Sequence, residues 1–171
     1  FPLFYLDPPT GRRPFMPHQL LAFDTSTDHM SLALTDGMQQ WLHDGPGGAQ
    51  TSSTLLPALA ALLAQADLRL DALDAVVFGR GPGSFTGLRT ACAIAQGLAF
   101  GARGGAGLPV LAVDTLMAVA EQARFALSAA SGTELGAGDQ PWSVVALLDA
   151  RMDEMYTQRF VWLRGQCRAV G

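Results

Sequence analysis

One seven-residue pattern occurs twice in the chain. DTSTDHM at Asp24–Met30 and DARMDEM at Asp149–Met155 both read D-x-x-x-D-x-M. Repetition of a supersecondary unit constrains a fold strongly, because both copies must solve the same packing problem. Around the first copy, Gln19–Asp24 (QLLAFD) reads as a buried strand and Met30–Thr35 (MSLALT) alternates as a half-buried strand does. Asp36-Gly37 is a two-residue hairpin turn, and Met38–His43 returns as a third strand. Around the second copy, Trp142–Asp149 is a strand, and Met155–Leu163 with Gln166–Val170 forms a hairpin across Arg164-Gly165.

Between the copies the pattern changes to alternation of helix and strand. Ser52, Ser53 or Thr54 can cap a first helix, which accommodates Pro57 only in its first turn or at a kink. Asp74–Gly79 (DAVVFG) is a buried strand, and the loop Arg80–Ser84 leads into a helix over Phe85–Ala102. Pro109–Asp114 is the next strand and Thr115–Leu127 the next helix, followed by a Gly/Ser-rich loop to Pro141. Three strands joined by tight turns, then alternation, match a ribonuclease-H-like α/β unit with a mixed sheet. Two such units facing each other make the actin-like (ASKHA) architecture. The expected organisation is an extension or tag-like segment over 1–15, a natural start at Met16, and a first ribonuclease-H-like half over 16–114. A helix and linker over 115–141 and the start of a second half over 142–171 follow. That second half reads as truncated.

Composition removes several chemistries. All eleven basic residues are Arg, and there is no Lys. A Walker P-loop, a Schiff-base lysine and a Ser/Lys hydrolase are therefore excluded. The net charge of −4 argues against independent, high-affinity nucleic-acid binding. His18, His29 and His43 do not form HExxH, and Cys92 and Cys167 lack metal-site spacing. No metal or other cofactor is expected. The uncharged stretch Gly45–Ala66 has too short an apolar part to span a membrane, and no secretory signal is visible. Charged residues make up only 15% of the chain, so some apolar surface is expected to meet a partner.

That surface is expected on two helices. Leu55, Leu56, Leu59, Leu62 and Leu63 form an apolar stripe, with Ala58, Ala60, Ala61 and Ala64 on the other side. A helix apolar nearly all round is normally buried on two sides. Gly87, Ala91, Ala95 and Ala99 recur every fourth residue and permit close backbone packing, against the chain's own sheet or a second helix pair.

The segment GRGPGSFTGLR at Gly79–Arg89 is the most distinctive. Its glycines permit close approach, and the helix that follows favours anions. Arg80, Gly81, Pro82, Gly83, Ser84, Thr86, Gly87 and Arg89 could thus form an anion or partner loop. The plainer alternative is a tight strand-to-helix turn with a polar cap. Its spacing fits neither a nucleophile elbow nor a clean Rossmann fingerprint. Asp24 and Asp149 end strands at equivalent places, where actin-like ATPases approach Mg²⁺ and phosphates. A small residue two positions later lets backbone N–H groups reach phosphate oxygens. Ser26 is tolerable there, while Arg151 is bulky, so Asp24, Ser26, Asp149 and Arg151 read as a vestigial nucleotide cleft.

LLAFDTST at 20–27, GRGPGSFTGLRTACAIAQGLAFG at 79–101, VLAVDTLMAVA at 110–120 and ALLDARMDEMY at 146–156 together resemble the TsaB (YeaZ) family of bacterial tRNA threonylcarbamoyladenosine biosynthesis proteins. The resemblance implies an actin-like duplicated fold in a cytoplasmic, non-catalytic subunit. Such a subunit pairs with the paralogue TsaD and works with the ATPase TsaE, meeting tRNA only indirectly. It also implies pairing through the two helices of the first half, and self-association into a dimer when alone. The alternative is a small nucleotide-dependent enzyme, either an actin-like ATPase or kinase or another nucleotide-binding enzyme such as a Rossmann dehydrogenase variant, with a metalloprotease third.

Overall fold

A computed structural model describes residues 18–171, so the expected extension over 1–15 and the start at Met16 lie outside the described residues. The chain divides into two compact units at the Val113/Asp114 junction.

The first unit is built on a five-stranded mixed sheet. Its strands are β1 (Leu20–Asp24), β2 (His29–Thr35), β3 (Gln40–Pro46), β4 (Ala75–Gly79) and β5 (Val110–Val113), in the order β3-β2-β1-β4-β5. β1 runs antiparallel to β2 and parallel to β4. Asp36 sets the β2–β3 turn: its Oδ1 accepts the N–H groups of Met38 at 2.8 Å and Gln39 at 2.7 Å.

Two helices cover one face of this sheet: α1 (Thr51–Gln65) and α2 (Phe85–Gly101). Leu55, Leu59 and Leu62 of α1 and Ala91, Ala95 and Ala99 of α2 join Leu21, Phe23, Leu32, Leu34 and Val76 of the sheet in one core. Small residues on α2 let its backbone lie close to the strands beneath. The expected side-chain caps do not form. Ser84 occupies the α2 N-cap position without a side-chain bond. Ser53 and Thr54 donate their hydroxyls back to the Gln50 carbonyl, so they satisfy an acceptor rather than the open N–H groups. Pro57 lies inside α1, beyond its first turn.

The second unit packs α3 (Thr115–Ser131) on an antiparallel sheet of β6 (Trp142–Arg151), β7 (Glu154–Leu163) and β8 (Gln166–Val170), in that order. Asp114 caps α3 by accepting the Met117 N–H at 3.1 Å, and Gly132 ends it at φ +67°. The helix therefore runs one turn past the expected Leu127. Leu116 and Ala120 of α3 meet Ala146, Phe160 and Trp162, so the helix expected to belong with a linker forms part of this core. The following loop is tied down as well. Arg124, buried on α3, binds Glu121 at 2.7 Å and the Leu135 carbonyl at 3.0 Å. Among the described residues, β6 pairs with β7 alone in this sheet, and its Val145 and Leu147 are half exposed.

Candidate functional site

The two loops expected to form a ligand site in the first unit pack against each other. The turn after β1 (Asp24–Thr27) sits on the loop between β4 and α2. Ser84 donates its N–H to the Ser26 carbonyl at 2.6 Å, and the Thr25 hydroxyl donates to the Gly87 carbonyl at 2.7 Å. Ser26 in turn gives its N–H to Asp24 Oδ1 at 2.7 Å and its hydroxyl to the same oxygen. Asp24, Thr25 and Ser26 are all buried.

The glycines are explained by this contact. A Cβ on Gly79 would overlap the Asp24 carboxylate, one on Gly83 the Ser26 carbonyl, and one on Gly87 the Thr25 carbonyl oxygen. Close approach is thus used by the chain's own β1 turn. Gly81 adopts φ +98°, which glycine reaches without strain, and is joined to Pro82 by a cis peptide. Arg80 is exposed, and its backbone N–H bonds the Val113 carbonyl at 2.9 Å. Pro82 and Ser84 are half-buried and Thr86 exposed.

The second copy of the repeat makes the same local bond. Asp149 Oδ1 accepts the Arg151 N–H at 2.7 Å, as Asp24 accepts that of Ser26. Its surroundings differ: Asp149 is exposed, and Arg151, Met152 and Asp153 all have positive φ. The expected cleft residues therefore fall in two units, Asp24 and Ser26 in one and Asp149 and Arg151 in the other. Among the described residues, no group of three or more His, Cys, Asp and Glu side chains is placed to hold a metal ion.

The expected partner residues need correction. Leu55, Leu59 and Leu62 are only 0%, 4% and 2% exposed, and Gly87, Ala91, Ala95 and Ala99 are buried too. Both stripes serve the chain's own sheet. Periodicity identifies a buried face, not the neighbour that buries it. Leu63 is half-buried, and only Leu56, at 47%, is clearly exposed.

The outward faces of the two helices are a different set of residues. On α1 they are Pro57, Ala60, Ala61 and Ala64, beside Leu56. On α2 they are Phe85, Arg89, Ala93, Gln96, Gly97 and Phe100. Phe85 and Phe100 are 68% and 80% exposed, large apolar groups left in water at the two ends of α2. The Arg89 guanidinium lies over the Phe85 ring, 3.9 Å from its centroid. The sequence reading missed Phe85 and Phe100. Their signal was available, since 85, 89, 93, 97 and 100 lie opposite the small-residue ridge on a helical wheel.

A family model described as TsaD, tRNA N6-adenosine threonylcarbamoyltransferase, matches residues 39–171. The tRNA threonylcarbamoyladenosine biosynthesis protein TsaB of Haemophilus influenzae is 42% identical over 142 residues, covering 83% of this chain and 53% of that protein. The Escherichia coli protein of the same name is 36% identical, covering 81% of this chain and 53% of that protein. The chain thus spans about half the length of these curated relatives. The solved structure of YeaZ from Pseudomonas aeruginosa superimposes with a TM-score of 0.72 at 38% identity, covering 90% of this chain and 65% of that one. Among the described residues, no helix is long and apolar enough to cross a membrane.

Proposed function

The chain belongs to the TsaD family and resembles most specifically its TsaB (YeaZ) members, and from that premise we propose that it is a non-catalytic partner subunit in the threonylcarbamoyl modification of tRNA. Its partner is a TsaD-like paralogue. A TsaE-like ATPase joins the assembly in the cytoplasm, and tRNA is held by the other subunits.

The observation that carries this reading is the closed glycine loop. In a working phosphate cradle, backbone N–H groups face an open space. Here the Ser84 N–H is given to the Ser26 carbonyl, and the β1 turn lies where side chains on Gly83 and Gly87 would begin. The alternative ATPase or kinase would have to break the Ser84–Ser26 bond before that N–H could meet a phosphate. The shared Asp24 and Asp149 turns support a duplicated, actin-like ancestry.

Docking is assigned to the outward faces of α1 and α2. They lie side by side over one sheet face and carry small residues between exposed Phe85 and Phe100. Small residues let a second helix pair approach closely. When the partner is absent, a second copy occupies the same face more weakly. The test is co-purification of the full chain with its cognate TsaD, together with isothermal titration against ATP and ADP. A stable complex and no nucleotide heat are expected. Micromolar nucleotide binding with no TsaD complex would replace this reading by the ATPase.

A further inference from the structure

The docking face carries one sign of charge. α1 contains no charged residue between Thr51 and Gln65, and α2 contains only Arg89 between Phe85 and Gly101. Arg89 is exposed, and its guanidinium rests on the Phe85 ring. A stacked arginine has already given up much of its freedom, so less is lost when it meets a carboxylate. Closing an apolar helix face around such a cation removes water from it. That is costly unless an opposite charge faces it.

We propose that Arg89, held over Phe85, makes this face selective for a helical partner that presents a carboxylate, and selects against a second copy of the chain. The inference rests on the docking reading above and names the chemistry of that partner. A second copy brings the same uncharged α1 and the same singly cationic α2. Neither helix offers Arg89 an acid. A paralogue is free to place one opposite the first turns of α2. Like charge across such a contact is a repulsive element, and repulsion against the wrong partner is how related surfaces gain selectivity.

The experiment measures binding of the full chain to its cognate TsaD by calorimetry at low and high salt, for wild type, Arg89→Ala and Arg89→Glu. Circular dichroism melts confirm that each variant folds. We expect Arg89→Ala to weaken binding about three- to tenfold and Arg89→Glu by more than about tenfold. Wild-type affinity should fall with salt, and that of Arg89→Ala should fall less. In sedimentation velocity, Arg89→Ala alone should self-associate more tightly than wild type. Folded Arg89→Glu that binds TsaD within twofold of wild type overturns the partner chemistry. Unchanged or weaker self-association of Arg89→Ala overturns the selection against a second copy. A wild-type chain that does not bind TsaD at all overturns the docking reading itself.

Discussion

The Thr25 hydroxyl donates to the Gly87 carbonyl at 2.7 Å, while the Thr25 carbonyl oxygen occupies the space where a Gly87 side chain would begin. The two residues lock the β1 turn to the first turn of α2. Gly87→Ala should push this contact apart and cost about 1–3 kcal/mol, the range of overpacked cores. Thr25→Val keeps the shape but leaves the bond unmade, and should cost about 1–3 kcal/mol. Urea unfolding of both variants measures this, and a loss below about 0.5 kcal/mol in each would show that the lock is slack.

The two faces of α1 should respond oppositely to substitution. Leu59→Ala empties a core position and should cost about 2–5 kcal/mol. Leu56→Glu changes an exposed position and should shift stability by less than about 0.5 kcal/mol. Pull-down with TsaD should nevertheless fail for Leu56→Glu. Full retention of binding by this well-folded variant would move the interface elsewhere.

Arg124 is the tether of the loop after α3. It binds Glu121 and the Leu135 carbonyl from a buried position, and Glu134 stands 3.7 Å away. Arg124→Met should cost less than Arg124→Ala, since the methionine refills the space. The alanine variant should lose about 3–5 kcal/mol, because Glu121 is left uncompensated. Hydrogen exchange should speed up selectively at residues 132–139 in both. Uniform acceleration across the unit instead would show a general loss of packing.

The Asp36 turn predicts an acid dependence. The N–H groups of Gln39 and Met38 hold the Asp36 carboxyl below its ordinary pKa. A lowered folded value means that the turn's contribution is present above the ordinary aspartate range. It is lost as pH falls through the lowered value. Carboxyl NMR titration should give a midpoint below that of a free aspartate. Amide exchange of Met38 and Gln39 should then lose protection over the same pH interval. A midpoint at or above the free value contradicts the hydrogen bonds.

Much of the fold was legible because its signals are local. The Asp36-Gly37 turn, the alternation of Met30–Thr35 and the apolar run before Asp24 each name their own structure. The repeat led to both Asp turns, which form the same bond. Helix boundaries were less legible: α3 continues to Ser131, since Ala129 and Ala130 favour helix and only Gly132 stops it. The site was misread where meaning depends on a distant neighbour. GPGSFTG announces close approach, but only the fold reveals that Thr25 and Ser26 are what approaches. Likewise Leu59 and Ala95 are apolar for the sheet beneath them, which no spacing rule identifies.

The division of α2 into a packed ridge and an outward stripe also sets how this surface can change over generations. Gly87, Ala91, Ala95 and Ala99 are held by volume, so nearly any enlargement there is purged for reasons of folding. Phe85, Arg89, Ala93 and Phe100 face outward and answer to no such limit. One helix therefore answers to two separate constraints. Volume governs substitutions on the inner face, while on the outer face folding leaves side-chain size and charge open.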